Sequence, residues 1–226
     1  MVFELCEGGS LSQMLRQYRR HARNKAPKGC SAEALQWFPW AQRLALATQT
    51  ARALQHLHSL RIVHRDVKSG NVLLAFPARA YEGVGEVELP QAKLADVGLS
   101  RIASQSRVGS MTPLAPWRQE KHPWMAPELA TEDYGSAADI YGWGALVFEI
   151  TTLMVFWLGA PWEMSASARL PRILGVVVDS VQAGQHHRPR ASELVQVLES
   201  MSESSGQTLQ EWMRTDGINL GVHSMV

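Results

Sequence analysis

The stretch that decides the fold of this 226-residue chain is His64-Arg65-Asp66-Val67-Lys68-Ser69-Gly70-Asn71. It follows a segment from Trp40 to Leu60 in which apolar residues recur three or four positions apart, the pattern of an amphipathic helix. A short apolar run, Val72-Leu73-Leu74, comes after it, and Asp96-Val97-Gly98 follows further along, at the end of a second predicted strand. Two carboxylates and an amide are therefore expected to converge from neighbouring loops.

These side chains suit the transfer of a phosphoryl group to a hydroxyl. That chemistry needs a positioned acceptor, metal ions between the phosphates and screening of the transferred charge. Asp66 can accept the proton of the hydroxyl, and Lys68 can lie against the γ-phosphate as a compact cation. Asn71 and Asp96 supply the oxygen ligands that Mg²⁺ prefers. We therefore expect Asp66, Lys68 and Asn71 to be catalytic, and Asn71 and Asp96 to bind the metal.

The motifs resemble those of the eukaryotic protein kinase family. His64–Asn71 resembles the catalytic loop HRDxKxxN, Asp96-Val97-Gly98 the DFG motif, and Ala126-Pro127-Glu128 the APE motif. The resemblance implies a mainly α, protein-kinase-like C-terminal lobe with short β-hairpins at the catalytic loop. It also implies ATP and Mg²⁺ as cofactors and a protein as substrate.

The position of Lys68 and the stretch Gly8-Gly9-Ser10-Leu11 are similar to the tyrosine-kinase-like group, whose members mostly phosphorylate serine and threonine. The resemblance therefore implies a serine/threonine kinase.

Further residues acquire roles from the same resemblance. Phe3-Glu4-Leu5-Cys6 is similar to the gatekeeper and hinge, so the backbones of Glu4 and Cys6 would hydrogen-bond adenine. Leu73 would form the floor of that pocket, and Lys68 and Asp96 would contact the nucleotide or its metal.

Asp139 matches the aspartate that supports the catalytic loop. Arg188 matches the arginine that pairs with the APE glutamate, Glu128.

The chain also departs from the family pattern. The Gly-rich loop, the ATP-anchoring lysine and its glutamate partner belong before Phe3, so we expect the N-terminal β-lobe to be absent. Val97 replaces the DFG phenylalanine, and Lys121 stands where the family usually has threonine. The stretch from Gly159 to Arg188 is short, so we expect the peripheral helix to be reduced or missing. Two interpretations stay open: a truncated kinase domain, and a non-catalytic pseudokinase acting as a binding or scaffold module.

The chain divides into a partial kinase domain, hinge and C-lobe, over residues 1–200 and a polar tail over 201–226. Near its start, Met1–Leu5 is predicted to be a strand, and Ser10 with Gln13 fits a capping box that begins a helix. The basic stretch from Arg16 to Lys28 is interpreted as a solvated loop, with a docking patch for an acidic partner as the alternative. A buried helix is expected around Ile140–Ile150.

Three further segments are interpreted from their composition. Gly83–Val87 is predicted to be a hairpin insertion, and a final helix is expected after Arg188-Pro189. Leu99–Trp124 is predicted to be a mobile loop in which a serine or threonine could be phosphorylated and pair with Arg65.

Composition excludes several function classes. The formal net charge is +1, from 22 basic and 21 acidic residues, so no overall field favours nucleic acid or an anionic membrane. Two cysteines without metal-ligand spacing favour a reducing, intracellular and cytoplasmic location. The apolar window Ile140–Ala160 contains Glu149 and two threonines near its centre, which favours a core helix over a membrane span. The absent lobe would leave apolar surface around Phe3 and Leu73 open, which favours either aggregation or a partner that covers it.

Overall fold

The computed structural model describes residues 4–25, 38–76, 89–96, 101–102, 124–130, 134–154, 171–201, 205–208 and 211. The longer helices of this part are α1 (Leu11–Lys25), α2 (Trp40–Ser59), α3 (Ser136–Thr152), α4 (Arg172–Ser180) and α5 (Ala191–Glu199). The strands are short: β1 (Ile62–Val63), β2 (Val72–Leu74), β3 (Ala92–Leu94) and β4 (Arg101–Ile102). The expected mainly helical lobe with short antiparallel strand pairs is confirmed.

Helix α3 lies at the centre of the core, as its all-round apolar sequence predicts. Trp143 and Phe148 are fully buried, and Trp143 Nε1 donates to Thr50 Oγ1 in α2 (3.2 Å). Gly144 allows α4 to approach closely, because a Cβ there would lie 2.8 Å from the Cβ of Ser180. The helix is thus buried by protein on all sides, and among the described helices none is long and apolar enough to cross a membrane.

Helix α1 begins where the sequence predicts but ends later. The backbone N–H of Ser10 donates to Gln13 Oε1 (2.9 Å) and that of Gln13 to Ser10 Oγ (3.3 Å), which confirms the capping box. The solvated loop predicted from Arg16 onward is wrong as far as Lys25, because this stretch is helical. Arg and Lys have high helix propensity, no proline intervenes before Pro27, and Leu11 and Leu15 anchor one face in the core.

The two strand pairs frame the catalytic loop. Strand β1 pairs antiparallel with β4, with Val63 opposite Arg101, and β2 pairs antiparallel with β3, with Leu73 opposite Lys93. The loop predicted for Leu99–Trp124 therefore contains at least the two residues of β4 in a strand. Most of that segment, and the whole predicted hairpin Gly83–Val87, lie outside the described residues.

The predicted first strand, Met1–Leu5, is wrong for its two described residues, Glu4 and Leu5, which have no regular secondary structure. Among the described residues, the backbone hydrogen bonds that join this part of the chain to β2 and to Ala75 just after it begin at Glu7, whose N–H donates to the carbonyl of Ala75 (3.2 Å).

The C-terminal part contains a helix that the sequence reading missed. Helix α4 lies within the stretch expected to be reduced, and residues 155–170 before it lie outside the described part. Its buried residues Ile173, Leu174 and Val177 have helical spacing, a signal that was available in the sequence. Helix α5 confirms the helix predicted after Arg188-Pro189, but it is not the final one, because residues 205–208 are also helical. Beyond it, Gly206 is buried against Trp40, so the first part of the polar tail contacts the lobe.

Candidate active site

The catalytic loop brings three of the expected site residues together around one carboxylate. Lys68 Nζ lies 2.6 Å from Asp66 Oδ2, and Asn71 Nδ2 donates to the same oxygen (2.8 Å). The amide of Asn71 also donates to the backbone carbonyl of Asp66 (2.8 Å). A single 3-10 turn, Ser69–Asn71, bends the chain back to make this possible. The Asp66 side chain is 11% exposed, so its carboxylate is held in place but open to one side.

Asp139, in the first turn of α3, holds the start of the catalytic loop. Its two carboxylate oxygens accept hydrogen bonds from the backbone N–H groups of His64 (2.8 Å) and Arg65 (2.7 Å). Arg65 has a left-handed φ of 75°, a conformation that costs a non-glycine residue about 1 kcal/mol or more. Because Asp139 is fully buried, these charge-assisted bonds are strong enough to hold that conformation.

His58 is a supporting residue that the sequence reading missed. Its Nε2 lies 2.9 Å from Asp139 Oδ2, so the last turn of α2 is joined to the same carboxylate. The signal was present in the helical stripe, since His58 follows the buried residue Leu54 by four positions. The histidine thus forms a third contact to the aspartate that holds the loop.

Asp96 emerges beside Asn71. The backbone N–H of Ala95 donates to the carbonyl of Asn71 (2.8 Å), and His64 Nε2 lies 3.0 Å from the carbonyl of Ala95. The next residue, Asp96, is exposed and has a left-handed φ of 63°. The amide nitrogen of Asn71 is engaged by Asp66, so its amide oxygen is the atom that suits a metal.

One amide and one carboxylate oxygen fit Mg²⁺, which commonly takes few protein ligands and completes its shell with water and phosphate oxygens. The described residues contain no cluster of three or more His, Cys, Asp or Glu side chains that could hold a metal by themselves.

The expected hinge residues lie alongside β2. Gly8 N–H donates to the carbonyl of Leu74 (3.0 Å), and Leu74 N–H donates to the carbonyl of Gly9 (2.9 Å). This pairing requires a glycine at position 8, because a Cβ there would lie 2.1 Å from the carbonyl oxygen of Phe76. Ser10 forms an antiparallel bridge with Leu73, which is half-buried.

The two hinge residues named for adenine differ in their other contacts. The side chain of Glu4 pairs with Lys93 Nζ, and the carbonyl of Cys6 accepts from Gly9 N–H (3.2 Å). These contacts use the Glu4 carboxylate and the Cys6 carbonyl, and neither of them involves the Glu4 carbonyl or the Cys6 N–H.

A pocket of about 220 Å³ lies beneath the catalytic loop. It is lined by Ser12, Lys68, Ser69, Gly70, Trp124, Ala145, Leu146 and Glu149. Ser69 Oγ donates to Glu149 Oε2 (2.9 Å), and Arg19 Nη2 lies 3.7 Å from the same oxygen. The sequence reading noted Glu149 only as a break in an apolar run. A carboxylate in such a run needs a partner, which was the missed signal for this network.

Arg188 forms a second, more buried ion pair at the far end of the lobe. Its Nη1 and Nη2 donate to the two oxygens of Glu128 (2.5 and 3.0 Å), so the predicted pair is confirmed. The guanidinium also donates to the carbonyls of Ala137 (2.9 Å) and Gln182 (2.7 Å) and lies over the Tyr141 ring. Burial raises the pKa of Tyr141 to about 12, although nearby Arg188 acts in the opposite direction.

Comparison with known proteins agrees with this geometry. A model of the protein tyrosine and serine/threonine kinase family matches residues 1–156, which include the catalytic loop, Asp96 and Glu128. The chain therefore belongs to the protein kinase family.

Individual relatives are similar over most of this chain but over a smaller part of their own length. Serine/threonine/tyrosine-protein kinase HT1 of Arabidopsis thaliana is 27% identical over 199 residues, 82% of this chain and 44% of that protein. Tyrosine-protein kinase sid-3 of Caenorhabditis elegans is 33% identical over 154 residues, 67% of this chain and 10% of that protein. Serine/threonine-protein kinase dst3 of Dictyostelium discoideum is 32% identical over 155 residues, 68% of this chain and 22% of that protein. The chain thus spans 10% to 44% of the length of these curated relatives.

Proposed function

We propose that this chain carries the catalytic-loop half of a protein serine/threonine kinase, which transfers the γ-phosphate of ATP to serine and threonine hydroxyls of a protein. The observation that carries the proposal is the Asp66 carboxylate, held by Lys68 and Asn71 at 2.6 and 2.8 Å. A carboxylate fixed in this way, with one open side, can orient an acceptor hydroxyl and take its proton. A solvated turn aspartate would not need two such partners.

The other residues would act on the nucleotide. Mg²⁺, held by Asn71 and Asp96, would neutralise charge on the phosphates. Lys68 can exchange its contact with Asp66 for one with the γ-phosphate, because its flexible stem is 34% exposed. The Glu4 carbonyl and the Cys6 N–H would bind adenine over Leu73.

The choice of serine and threonine rests on Lys68, two residues after Asp66, and on relatives whose names include serine/threonine kinases. One relative is a tyrosine-protein kinase, so an experiment must determine whether the acceptor hydroxyl belongs to Ser, Thr or Tyr. An intracellular, cytoplasmic location is part of the proposal and is supported by the cysteine content.

One alternative is a non-catalytic module that binds another protein, and the exposed apolar side chains near the hinge are compatible with it as well as with a kinase. Leu5 is 79% exposed and Phe76 62%, and both flank the hinge. Such side chains favour a covering surface. In a kinase an N-terminal lobe would cover them, whereas in a scaffold protein a partner would do so. An assay of phosphoryl transfer distinguishes the kinase from the binding module.

Asp66→Asn tests the proposal directly, in a protein that joins this chain to a kinase N-terminal lobe. Transfer of labelled phosphate to peptides with a single Ser, Thr or Tyr should fall by about 10²–10⁴-fold, because the proton acceptor is lost. Binding of a fluorescent ATP analogue should stay nearly unchanged, because Asp66 contacts the acceptor. Asp179→Asn, an exposed aspartate of α4, is the matched control and should keep full activity.

Three results would count against the proposal. Equal transfer by the Asp66 variant would remove this residue from the mechanism. Transfer confined to the tyrosine peptide would contradict the proposed acceptor. No transfer by the parent protein, with nucleotide bound, would favour the binding module.

A further inference from the structure

The outer face of α1 carries two exposed arginines. The helix places Arg16 and Arg20 at positions i and i+4, which share one side of an α-helix. This side is opposite to the one that Leu11 and Leu15 bury in the core. Arg16 and Arg20 are exposed. We name these two positions the basic face of α1.

The charge of the basic face is not balanced within α1. The helix contains no Asp or Glu, and its other exposed described positions are the amides Gln13 and Gln17. Within the described part of the chain, no carboxylate forms an ion pair with Arg16 or Arg20. Arg52 shows the contrast, since this exposed arginine lies 2.6 Å from Glu199. The basic face thus keeps its capacity for an external anion.

The basic face starts at the candidate active site. Arg16 Nη1 donates to Ser12 Oγ (2.8 Å), and Ser12 lines the pocket beneath the catalytic loop together with Lys68 and Ser69. From there the basic face continues along the helix, rising by about 6 Å from position 16 to position 20. A protein segment that presents a hydroxyl to Asp66 could therefore pass beside Arg16 and Arg20.

We propose that the basic face of α1 binds an acidic segment of the protein substrate, next to the residue that is phosphorylated. The inference deepens the proposed function and rests on it. Positions 16 and 20 are separated by about 6 Å along the helix, close to the spacing of alternate residues in an extended peptide. Alternate Asp or Glu side chains could therefore each meet one guanidinium, which binds carboxylate through two parallel hydrogen bonds.

The same face suits other polyanions less well. A single-stranded nucleic acid needs aromatic platforms for its bases, but Tyr18, the aromatic residue of α1, is stacked on Phe38 at 5.0 Å. A membrane needs apolar side chains beside the basic ones, and the exposed described positions of α1 are Gln and Arg. The net charge of +1 provides no general field for either.

Arg20→Glu in this 226-residue chain is the test. The probe is a fluorescein-labelled peptide of about ten residues with Glu at alternate positions, and binding is followed by anisotropy at low salt. Loss of one guanidinium and gain of a repelling carboxylate should raise the Kd about tenfold or more. Arg172→Glu, an exposed arginine of α4, makes the same change of net charge from +1 to −1 and should change the Kd less than about twofold. If the Arg20→Glu protein does not fold, the Kd of the same peptide is measured for Arg20→Gln instead.

Each result has a defined meaning. An unchanged Kd in both Arg20 variants, or equal losses in Arg20→Glu and Arg172→Glu, would overturn the proposal. An oligonucleotide of equal charge that binds as tightly, with the same loss in Arg20→Glu, would show a general polyanion site and also overturn it.

The protein joined to a kinase N-terminal lobe then separates docking from chemistry. For an acidic peptide substrate, Arg20→Glu should raise KM by the same factor and leave kcat unchanged. Peptide binding without any phosphoryl transfer would contradict the proposed function, while transfer without dependence on Arg20 would contradict the docking site alone.

Discussion

Two ion pairs of this chain use similar groups in different surroundings. The side chain of Arg188 is fully buried and that of Glu128 is 10% exposed, whereas Lys68 is 34% and Asp66 11% exposed. Arg188 donates from Nε and both Nη atoms to a carboxylate and to carbonyls of several segments. Lys68 contacts Asp66 through a single ammonium group. The first pair suits a structural role, and the second suits the exchange of partners that the proposed function requires of Lys68.

Arg188→Ala should have the largest effect on stability. The arginine joins the 3-10 turn Pro127–Ala130 to the segment before α5, and its removal strands the Glu128 carboxylate. Breaking one partner of a buried pair costs about 3–5 kcal/mol, so the melting temperature should fall by many degrees. Thermal unfolding followed by circular dichroism measures this, with the exposed Arg172→Ala as control. A variant that melts within about a degree of the parent would mean that the buried pair contributes no more than an exposed one.

The surroundings of the buried pair should also appear in the pH dependence of stability. Burial raises the pKa of Tyr141 from 10.0 to about 12, so the folded state holds this proton more tightly than the unfolded state. The corresponding stability is fully present below pH 10 and is lost as the pH rises towards about 12, by an amount on the order of 2 kcal/mol. Urea unfolding of the parent and of Tyr141→Phe should therefore show a steeper loss above pH 10 in the parent. Parallel curves would contradict the raised pKa.

The residues of the two pairs were predicted from the sequence for different reasons, and the contact between Asp66 and Lys68 itself was not predicted. The roles of Asp66, Lys68 and Asn71 followed from the chemistry of their side chains and their close spacing, which a short turn can bring together. The partners Glu128 and Arg188 are 60 positions apart, and their contact followed from the family resemblance. Helix α3 was predictable as well, because its burial leaves an apolar pattern on all sides.

Other features could not be predicted from local pattern, because they depend on tertiary contacts. A basic run is compatible with a solvated loop or a helix, and the burial of Leu11 and Leu15 decides for the helix α1. The contact of Arg19 with the carbonyl of Leu153 (2.7 Å) joins residues 134 positions apart. No spacing rule connects such residues, so the sequence can indicate that Glu149 needs a partner, but the partners themselves appear only in three dimensions.

Lys68→Ala should have the smallest effect on stability, and it tests the difference between the two ion pairs most directly. A partly exposed ion pair contributes about 0–1 kcal/mol, because solvent screens the attraction and the lysine stem loses entropy when it is held. The free energy of unfolding should therefore change by less than about 1 kcal/mol, similar to Arg52→Ala, which removes the exposed pair with Glu199.

An assay of phosphoryl transfer should distinguish Lys68→Ala from Arg52→Ala. In the protein joined to a kinase N-terminal lobe, Lys68→Ala should lower kcat strongly, because screening of the γ-phosphate is lost, while Arg52→Ala should leave kcat unchanged. If Lys68→Ala instead destabilised the fold as much as Arg188→Ala, the Asp66–Lys68 pair would be structural. The distinction between a pair that holds structure and one that changes partners would then fail.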